Sequence, residues 1–343
     1  MSHALSNAPL SGAVLIVIPC LNEASHIGAL LDQLAPMAHR LGAVVAVVDG
    51  GSTDGTQAIV GRYAERDPRI RLVHNARRLQ AAGLNLAVGL HGHGFEYLIR
   101  IDAHGRYPDD YCDQLLEEAV RTGADSVVVS MVTAGSGIIQ AATAAAQNSR
   151  LGTGGSQHRH ATAGSWIDHG HHALMRISAF REVGGYDETF SHNEDAELDY
   201  RLRRAGFRIW LTGRTSMTYF PRASLWRLYR QYLGYGRGRA RNVLKHRVVP
   251  KLRQMAPLLV LPSLMLAMLS PFYWPALVPA ATWSTICLGT GVWIAAGERR
   301  PEFILAGLSA MIMHLAWSLG FWEQLAAHGA RSGRDQARPE AAS

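Results

Sequence analysis

The sequence predicts an α/β protein with a mostly parallel sheet, followed by membrane-spanning helices. Buried-strand and helix patterns alternate over residues 14–132, which is typical of βαβ units. Two of the strands end in an acid, Asp49 and Asp102, and open α/β sheets place ligand groups at the carboxyl ends of their strands. Far downstream, Pro257 to Ala296 is uncharged over about twice the length that one membrane crossing needs.

The first part of the chain supplies five strands with helices between them. The run of apolar residues from Val14 predicts a strand, and apolar residues at i, i+3, i+4 and i+7 after it indicate a helix face. Pro108 suits the first position of a later helix. That helix turns Leu115, Leu116 and Ala119 inward. We predict strands over 14–19, 43–48, 70–73, 97–101 and 126–132, and helices over 27–34, 58–66 and 80–90.

The pattern changes after the fifth strand. Ala134 to Ala163 is rich in Gly, Ala, Ser and His without an apolar period, so we expect a flexible or substrate-shaped region there. Ordered patterning resumes over 166–176, with a helix over 196–205 and a short strand over 207–211.

Charge and cysteine content restrict the class of protein. The formal net charge is +7, yet no acid lies between Asp199 and Glu298, and basic residues crowd the first half of that interval. The first Lys or Arg is Arg40, and the apolar run from Val14 is too short for a signal peptide. We therefore expect the N-terminal domain to stay in the cytoplasm. Three cysteines without CxxC spacing indicate neither a disulfide framework nor a zinc site.

The C-terminal part has the composition of membrane helices. Pro271 and Pro275 divide the first uncharged run into two crossings, and 303–321 is a third. A buried helical core is the alternative. By the positive-inside rule the basic segment and the turn at 297–300 are cytoplasmic, with the tail outside. We thus divide the chain into a catalytic domain (1–221), a basic amphipathic membrane-proximal segment (222–255), about three transmembrane helices (256–322) and a polar tail (323–343).

Polar groups follow the first two strands. Pro19, Asn22 and Glu23 stand where a helix N-terminus can bind an anionic or nucleotide ligand, although Asn22 could simply cap the helix. Asp49 precedes Gly50 and Gly51, which allow close backbone approach while the carboxylate accepts hydrogen bonds from a base or ribose. A plain turn would also explain the glycines.

Two further groups indicate chemistry. Asp102 and His104 alternate at a strand end and can coordinate one divalent ion that bridges a diphosphate, with Mn²⁺ favoured over Ca²⁺; a solvated His104 is the alternative. Glu194 and Asp195 form a carboxylate pair that suits a general base, or simply a favourable charge at a helix N-terminus. Five histidines match no zinc signature, and we expect them to be solvated or to face substrate: His158, His160, His169, His171 and His172.

Taken in order, these motifs resemble the inverting family 2 glycosyltransferases of the GT-A fold. The matching segments are VLIVIPCLNE, VVDGGSTDGT, the triplet at Asp102 in the place of the family's DxD motif, and the acids at 194–195. Within the family the chain is similar to the succinoglycan glucosyltransferases, through RIDAHGRYP, SHNEDAELDYRLRRAG and YGRGRARNVLKH. The resemblance covers nearly the whole chain.

The resemblance implies a role for each matching residue. Asp49 would contact uracil, and Asp195 would be the catalytic base. His104 departs from the family pattern, because the second DxD position is normally an acid. The remaining assignments are these: Pro19, Asn22, Glu23, Asp54 and Asp102 to the nucleotide sugar; Asp102 and His104 to a divalent metal, Mn²⁺ or Mg²⁺; and Glu194, Trp166, Arg237, Arg239 and Arg241 to the acceptor or its phosphates.

The resemblance also implies substrates and a location. The donor would be a UDP-sugar, with glucose preferred, and the acceptor a polyprenyl-diphosphate-linked saccharide of exopolysaccharide synthesis. The arginines near 237–241 would lie beside the acceptor phosphates or simply attract anionic lipid. We expect the protein to lie in the bacterial inner membrane, with its catalytic domain facing the cytoplasm. Its expected partners include other exopolysaccharide assembly proteins.

Three alternative functions fit the sequence less well. A processive polysaccharide synthase usually carries QxxRW, whereas Gln231 is followed by Tyr-Leu-Gly-Tyr. A nicotinamide dehydrogenase needs GxGxxG after its first strand, where this chain has Asn-Glu. A nucleic-acid-binding membrane protein would explain the basic residues, but the chain has no recognisable reading module, and we expect no nucleic acid partner.

Overall fold

The computed structural model describes residues 13–153, 163–249 and 252–336. Its first elements are β1 (Val14–Cys20), α1 (Ile27–Leu41), β2 (Val44–Asp49), α2 (Thr56–Arg66), β3 (Ile70–His74), α3 (Gln80–His91), β4 (Tyr97–Arg100), α4 (Tyr111–Thr122) and β5 (Ser126–Thr133). They are followed by α5 (Ile138–Asn148), α6 (Arg150–Thr153), β6 (Ser165–Ile167), β7 (His171–Arg176), α7 (Ile177–Glu182), α8 (Glu194–Arg204) and β8 (Ile209–Tyr219). The last are α9 (Leu225–His246), α10 (Leu252–Leu258), α11 (Val260–Ala267), α12 (Val278–Glu298) and α13 (Leu305–Gln336).

The chain divides into two compact units. The sheet unit takes in Met1–Val132 and His160–Tyr219, and the helical unit takes in Thr133–Arg159 and Phe220–Ser343. The expected domain boundaries, with the first at residue 221, stay a prediction. Within the expected catalytic domain 1–221, the segment Thr133–Arg159 clusters with the helical unit.

The sheet unit is an α/β fold around a mixed sheet of order β3-β2-β1-β4-β7-β5-β8-β6. β1 pairs in parallel with both β2 and β4, so the first half of the sheet is parallel, as predicted. β7 pairs antiparallel with β4 and β5. The strand order reverses at β1 and β4, and open α/β sheets bind ligands at such a switch point.

Both faces of the sheet are buried. Alternate residues of β1 enter different clusters, with Ile16 and Ile18 on one face and Leu15 and Val17 on the other. The predicted apolar stripe of α1 packs on the first of these faces. This two-sided burial explains why the strands of this half read as continuous apolar runs.

Several elements differ from the sequence prediction. α4 begins at Tyr111, and Pro108 lies in the turn before it, where its carbonyl accepts from the Tyr111 amide at 3.1 Å. β8 extends to Tyr219, well beyond the predicted 207–211 strand. The segment expected to lack order contains α5, whose alanines are largely buried; packing on several sides removes the apolar period that would have revealed a helix. Residues 154–162 of that segment lie outside the described residues.

Within the described residues, the helical unit contains two helices long and apolar enough to cross a membrane, Trp274–Glu298 and Pro301–Ala330. The first of the three expected crossings falls on a shorter apolar helix, Met255–Ala267. That helix is shorter than the roughly 20 residues that one crossing needs. α13 packs closely along α9: a Cβ on Gly236 would lie 2.1 Å from the Trp317 carbonyl oxygen, and one on Gly320 would lie 2.1 Å from that of Leu233. Small residues permit this approach between helices.

Candidate active site

The loops that follow β1 and β2 are held together by hydrogen bonds. The Asn22 amide donates to Ser52 Oγ at 2.8 Å, and the Thr53 amide donates to Asn22 Oδ1 at 2.9 Å. The Glu23 amide donates to Thr56 Oγ1 at 2.9 Å. Asn22 adopts a left-handed conformation with φ 57°, which Asn tolerates better than most residues. Asn22 therefore joins two loops rather than capping one helix.

Asp49 ends β2 with one of its carboxylate oxygens occupied. Its Oδ2 accepts from the Gly51 and Ser52 amides and from Gln57 Nε2, at 2.8, 3.0 and 2.7 Å. Burial raises the pKa of Asp49, but these hydrogen bonds outweigh it and lower the pKa overall. Its Oδ1 is buried and has no hydrogen-bond partner within the described residues. An unsatisfied buried oxygen beside a glycine turn fits the hydrogen-bond acceptor that a nucleotide base needs.

Asp54 and Pro19 play structural roles in the same region. Asp54 accepts from the Ala24 amide at 3.0 Å and from Thr56 Oγ1 at 2.6 Å. These bonds, from Thr56 first and Ala24 second, lower its pKa. Pro19 is half-buried in β1, paired with Val48. Both residues shape the crevice.

Arg78 lies at the edge of this crevice and was missed by the sequence analysis. A Cβ on Gly51 would sit 3.5 Å from both Nε and Nη2 of Arg78, so the guanidinium covers the glycine. Gly51 has φ +86°, where other residues are strained. A cation is thus close to the residue after Asp49.

The triplet that begins at Asp102 contacts the loop after β1 through His104 and Glu23. His104 Nδ1 is 2.9 Å from Glu23 Oε1, and His26 Nδ1 is 3.0 Å from Glu23 Oε2. Burial raises the pKa of Glu23, but both histidines outweigh it and lower the pKa. The structure therefore brings the loop after β1 together with the predicted metal-binding triplet. It shows His104 as a partner of Glu23 rather than as a purely solvated side chain.

Arg100 joins two acids that the sequence could not connect. Its Nε donates to Asp102 Oδ1 at 3.1 Å and its Nη1 donates to Asp195 Oδ1 at 2.8 Å. Only 5% of its side chain is exposed. Burial alone would raise the pKa of Asp102, but Arg100 first, and then His171 and His104, outweigh it and the value falls to about 2. The sequence did contain a signal for this contact: an arginine lies within the buried run YLIRID, and buried charges are normally paired with an opposite charge.

Asp195 and Glu194 form the first turn of α8. Asp195 Oδ1 also accepts from the Tyr186 hydroxyl at 2.9 Å. Burial raises the pKa of Asp195, yet Arg100, His172 and His171 together lower it below its usual value. Burial and the neighbouring Asp195 instead raise the pKa of Glu194. The two acids of the expected pair therefore have pKa values shifted in opposite directions, and Asp195 is the one that ionises first.

Of the three described histidines in this group, His172 is fully buried, contrary to the expectation that all are solvated or face substrate, whereas the His171 side chain is 11% exposed. His171 Nε2 lies 3.8 Å from Asp102 Oδ2, and His172 Nε2 lies 3.0 Å from Asp199 Oδ1. His172 Nδ1 is also 3.2 Å from Ser126 Oγ. This serine, histidine and aspartate are each at most 1% exposed, and these contacts link them to one another inside the sheet unit. His158 and His160 lie outside the described residues.

Trp166 does not join the acid cluster. It lies on β6 at the far edge of the sheet, edge-on to Trp210 with ring centroids 5.0 Å apart. The Arg208 guanidinium stacks 4.5 Å from its ring centre. Three strands separate β6 from β4, about 19 Å at ordinary strand spacing.

The three candidate arginines of α9 belong to the helical unit. Arg237 forms a bidentate ion pair with Glu323 of α13, at 2.8 and 3.0 Å. Arg239 and Arg241 are half-buried. An exposed ion pair of this kind contributes little stability. The pairing with Glu323 is therefore compatible with the role predicted for Arg237.

The donor set fits a metal that arrives with a nucleotide better than a resident ion. Within the described residues, no group of three His, Cys, Asp or Glu side chains could hold a metal ion. Asp102 and His104 supply a carboxylate and an imidazole. Mg²⁺-type ions in nucleotide sites use one or two protein ligands and complete their shell with phosphate and water.

The sheet order and the switch-point acids define a GT-A fold, and the sequence comparison agrees. A model of the Glycosyl transferase family 2 matches residues 15–184. The chain is 60% identical over 315 residues to the Succinoglycan biosynthesis protein ExoA of Rhizobium meliloti (strain 1021), covering 92% of this chain and 96% of that protein. The chain belongs to glycosyltransferase family 2 and is a glycosyltransferase.

More distant proteins share parts of the chain. It is 32% identical over 131 residues to the Polyprenol monophosphomannose synthase of Mycolicibacterium smegmatis, covering 35% of this chain and 46% of that one. Among solved structures, the mannosyltransferase PcManGT of Pyrobaculum calidifontis, in complex with GDP-Man and Mn²⁺, aligns with a TM-score of 0.56 and 18% identity. That alignment covers 91% of this chain and 87% of PcManGT, and it shows the shared fold.

Proposed function

We propose that the protein transfers one glucose from UDP-glucose, with inversion, to a polyprenyl-diphosphate-linked saccharide in exopolysaccharide synthesis. The observation that carries the proposal is the convergence of Asp102 and Asp195 on Arg100. An inverting transfer needs the leaving diphosphate and the base on opposite sides of one sugar. In this cluster Asp102 would hold the metal that binds the diphosphate, and Asp195 would be the base. The 60% identity to a succinoglycan biosynthesis protein supports the pathway.

Each residue then has a chemical task. The uracil base bonds to Asp49 Oδ1, and the loop of Asn22 and Glu23 lines the nucleotide. Asp195 removes the proton of the acceptor hydroxyl as that oxygen attacks the anomeric carbon. A divalent ion, Mn²⁺ or Mg²⁺, would be held by Asp102 and His104 and would supply positive charge for the leaving diphosphate.

The low pKa of Asp195 sets the state of the base. The carboxylate is ionised at neutral pH, so it is ready to accept a proton without prior deprotonation. Its basicity is correspondingly modest, and the acceptor proton moves late, as the new bond to the sugar forms.

The membrane supplies the setting for the acceptor. The two long apolar helices and the basic α9 favour attachment to an anionic bilayer, with the sheet unit on the cytoplasmic side of the inner membrane. Arg239 and Arg241 are the α9 residues that we assign to the acceptor phosphates.

The test is release of UDP by membranes that contain the full-length protein, supplied with a panel of UDP-sugars and lipid-linked acceptors. Asp195→Asn should reduce acceptor-dependent release by about 10²–10⁴-fold, the usual contribution of a general base. Asp168→Asn is the matched control, because Asp168 is exposed and pairs with Arg203. Full activity in Asp195→Asn would refute the assignment, and a ladder of lengthening products would identify a processive synthase instead.

A further inference from the structure

One oxygen of the Asp195 carboxylate carries all of its hydrogen bonds. Oδ1 accepts from Arg100 Nη1 at 2.8 Å and from the Tyr186 hydroxyl at 2.9 Å. No donor of the described residues bonds to Oδ2. One edge of the carboxylate is thus held by two donors while the other has none among the described residues, and 18% of the side chain is exposed.

Both donors are themselves rigidly held. Arg100 projects from β4 and also binds Asp102, so its guanidinium is fixed at two points. The backbone of Tyr186 is bracketed by Asn85, whose Oδ1 accepts from the Tyr186 amide and whose Nδ2 donates to the Tyr186 carbonyl, both at 2.8 Å.

The ring of Tyr186 is also confined. It packs edge-on against Phe180 and His172, with centroid distances of 5.7 and 6.3 Å. The preceding Gly184 and Gly185 both have positive φ, so the turn that delivers the tyrosine requires glycine.

We infer that Arg100 and Tyr186 are positioning residues that lock Asp195 through Oδ1, so that Oδ2 is the atom that takes the acceptor proton. The inference rests on the proposed role of Asp195 as the base. In the reaction, the acceptor O–H bond breaks and its proton moves to Oδ2. The acceptor oxygen bonds to the anomeric carbon, and the bond from that carbon to the diphosphate breaks, releasing UDP.

The geometry explains why two donors serve one oxygen. A carboxylate attached through a rotatable bond presents either oxygen at varying angles, and a misplacement of 1 Å can cost about 100-fold in rate. Two donors on Oδ1 fix both the rotamer and the plane of the group. The donors lower the basicity of the carboxylate, so the arrangement gives up base strength for orientation.

The experiment compares kcat, the donor KM and calorimetric UDP binding in full-length detergent-solubilised variants. Tyr186→Phe keeps the ring and removes only the hydroxyl, and we expect kcat to fall about 10-fold or more while donor KM and UDP affinity stay unchanged. Arg100→Met should lose more activity, and Arg100→Lys should restore part of it because the charge returns. The matched control is Tyr63→Phe, which removes a hydroxyl bonded to Asp32 at 2.6 Å and should leave kcat unchanged.

The outcomes separate this inference from the proposed function. If Tyr186→Phe has the same kcat as Tyr63→Phe while Asp195→Asn is inactive, the base is correct and the lock is wrong. A fall in activity that follows the loss of UDP-binding protein would also overturn the lock, because that marks a folding role. If Asp195→Asn keeps full activity, the base assignment itself fails.

Discussion

Asp199 holds a buried negative charge in the sheet unit and is only 1% exposed. His169 Nδ1 lies 2.6 Å from its Oδ2, and His172 Nε2 lies 3.0 Å from its Oδ1. Burial raises the pKa of Asp199, but His172 and His169 outweigh it and bring the value to about 2. This ion pair lies beneath the site, because His172 also contacts the ring of Tyr186.

Asp199→Asn should destabilise the protein by about 3–5 kcal/mol, because removing one partner leaves a buried charge uncompensated. The Asp199 contribution is present above the unfolded pKa of 3.8 and is lost as the pH falls toward the folded value of about 2. Thermal unfolding of the detergent-solubilised protein at several pH values measures both effects. Asp113→Asn, at the more exposed pair with Arg40, is the control and should cost less than about 1 kcal/mol. Equal losses in the two variants would contradict the prediction.

Residues at strand ends were predictable, whereas their partners were not. Asp49 and Asp102 follow apolar runs, and the rule for parallel strands places them at one edge. His171 begins β7 and Tyr186 follows it along the chain, so both reach the site because β7 inserts antiparallel between β4 and β5. Nothing in the local pattern of HHALMR specifies that pairing, because the four central residues of β7 are all buried and a run buried on both faces fits either strand direction.

At the scale of elements, α9 and α13 meet through glycine. The positions that a Cβ would occupy on Gly236 and Gly320 overlap backbone oxygens of the opposite helix. Sequence reasoning identified the basic, glycine-broken segment from Tyr235 to His246 but did not pair it with α13. The pairing of two helices depends on the shape of both surfaces, and the sequence pattern indicated only the surface of α9.

Gly320→Ala should push α9 and α13 apart and cost about 1–3 kcal/mol, the usual range for overpacking. Gly289→Ala in α12 is the matched control, because nothing lies within 4 Å of its added Cβ. Alanine there should be neutral or stabilise the helix by up to about 1 kcal/mol. Fluorescence-detected unfolding temperatures in detergent decide the matter, and equal temperatures for the two variants would show that the helices are not in close contact.

At the scale of the whole molecule, the two long apolar helices differ in how much protein covers them. In the most apolar window of each, α12 is 17% buried and the helix containing α13 is 50% buried. α9 and α5 pack on α13, whereas α12 leaves Ile286, Leu288, Val292 and Trp293 exposed. An apolar surface of this size is expected to contact lipid rather than water.

Val292→Arg should therefore reduce the amount of protein that remains in membranes after an alkaline carbonate wash. An arginine on a lipid-facing helix costs up to about 2.5–3.5 kcal/mol on insertion scales, the value at the helix centre, whereas on a water-facing helix it costs almost nothing. Val120→Arg in α4 is the matched control, because Val120 is 61% exposed and Val292 is 54% exposed, and only the second lies on a candidate span. If both variants stay in the membrane fraction like the wild type, α12 does not face lipid. A loss confined to Val292→Arg would establish α12 as the lipid-contacting helix that attaches the enzyme to the bilayer.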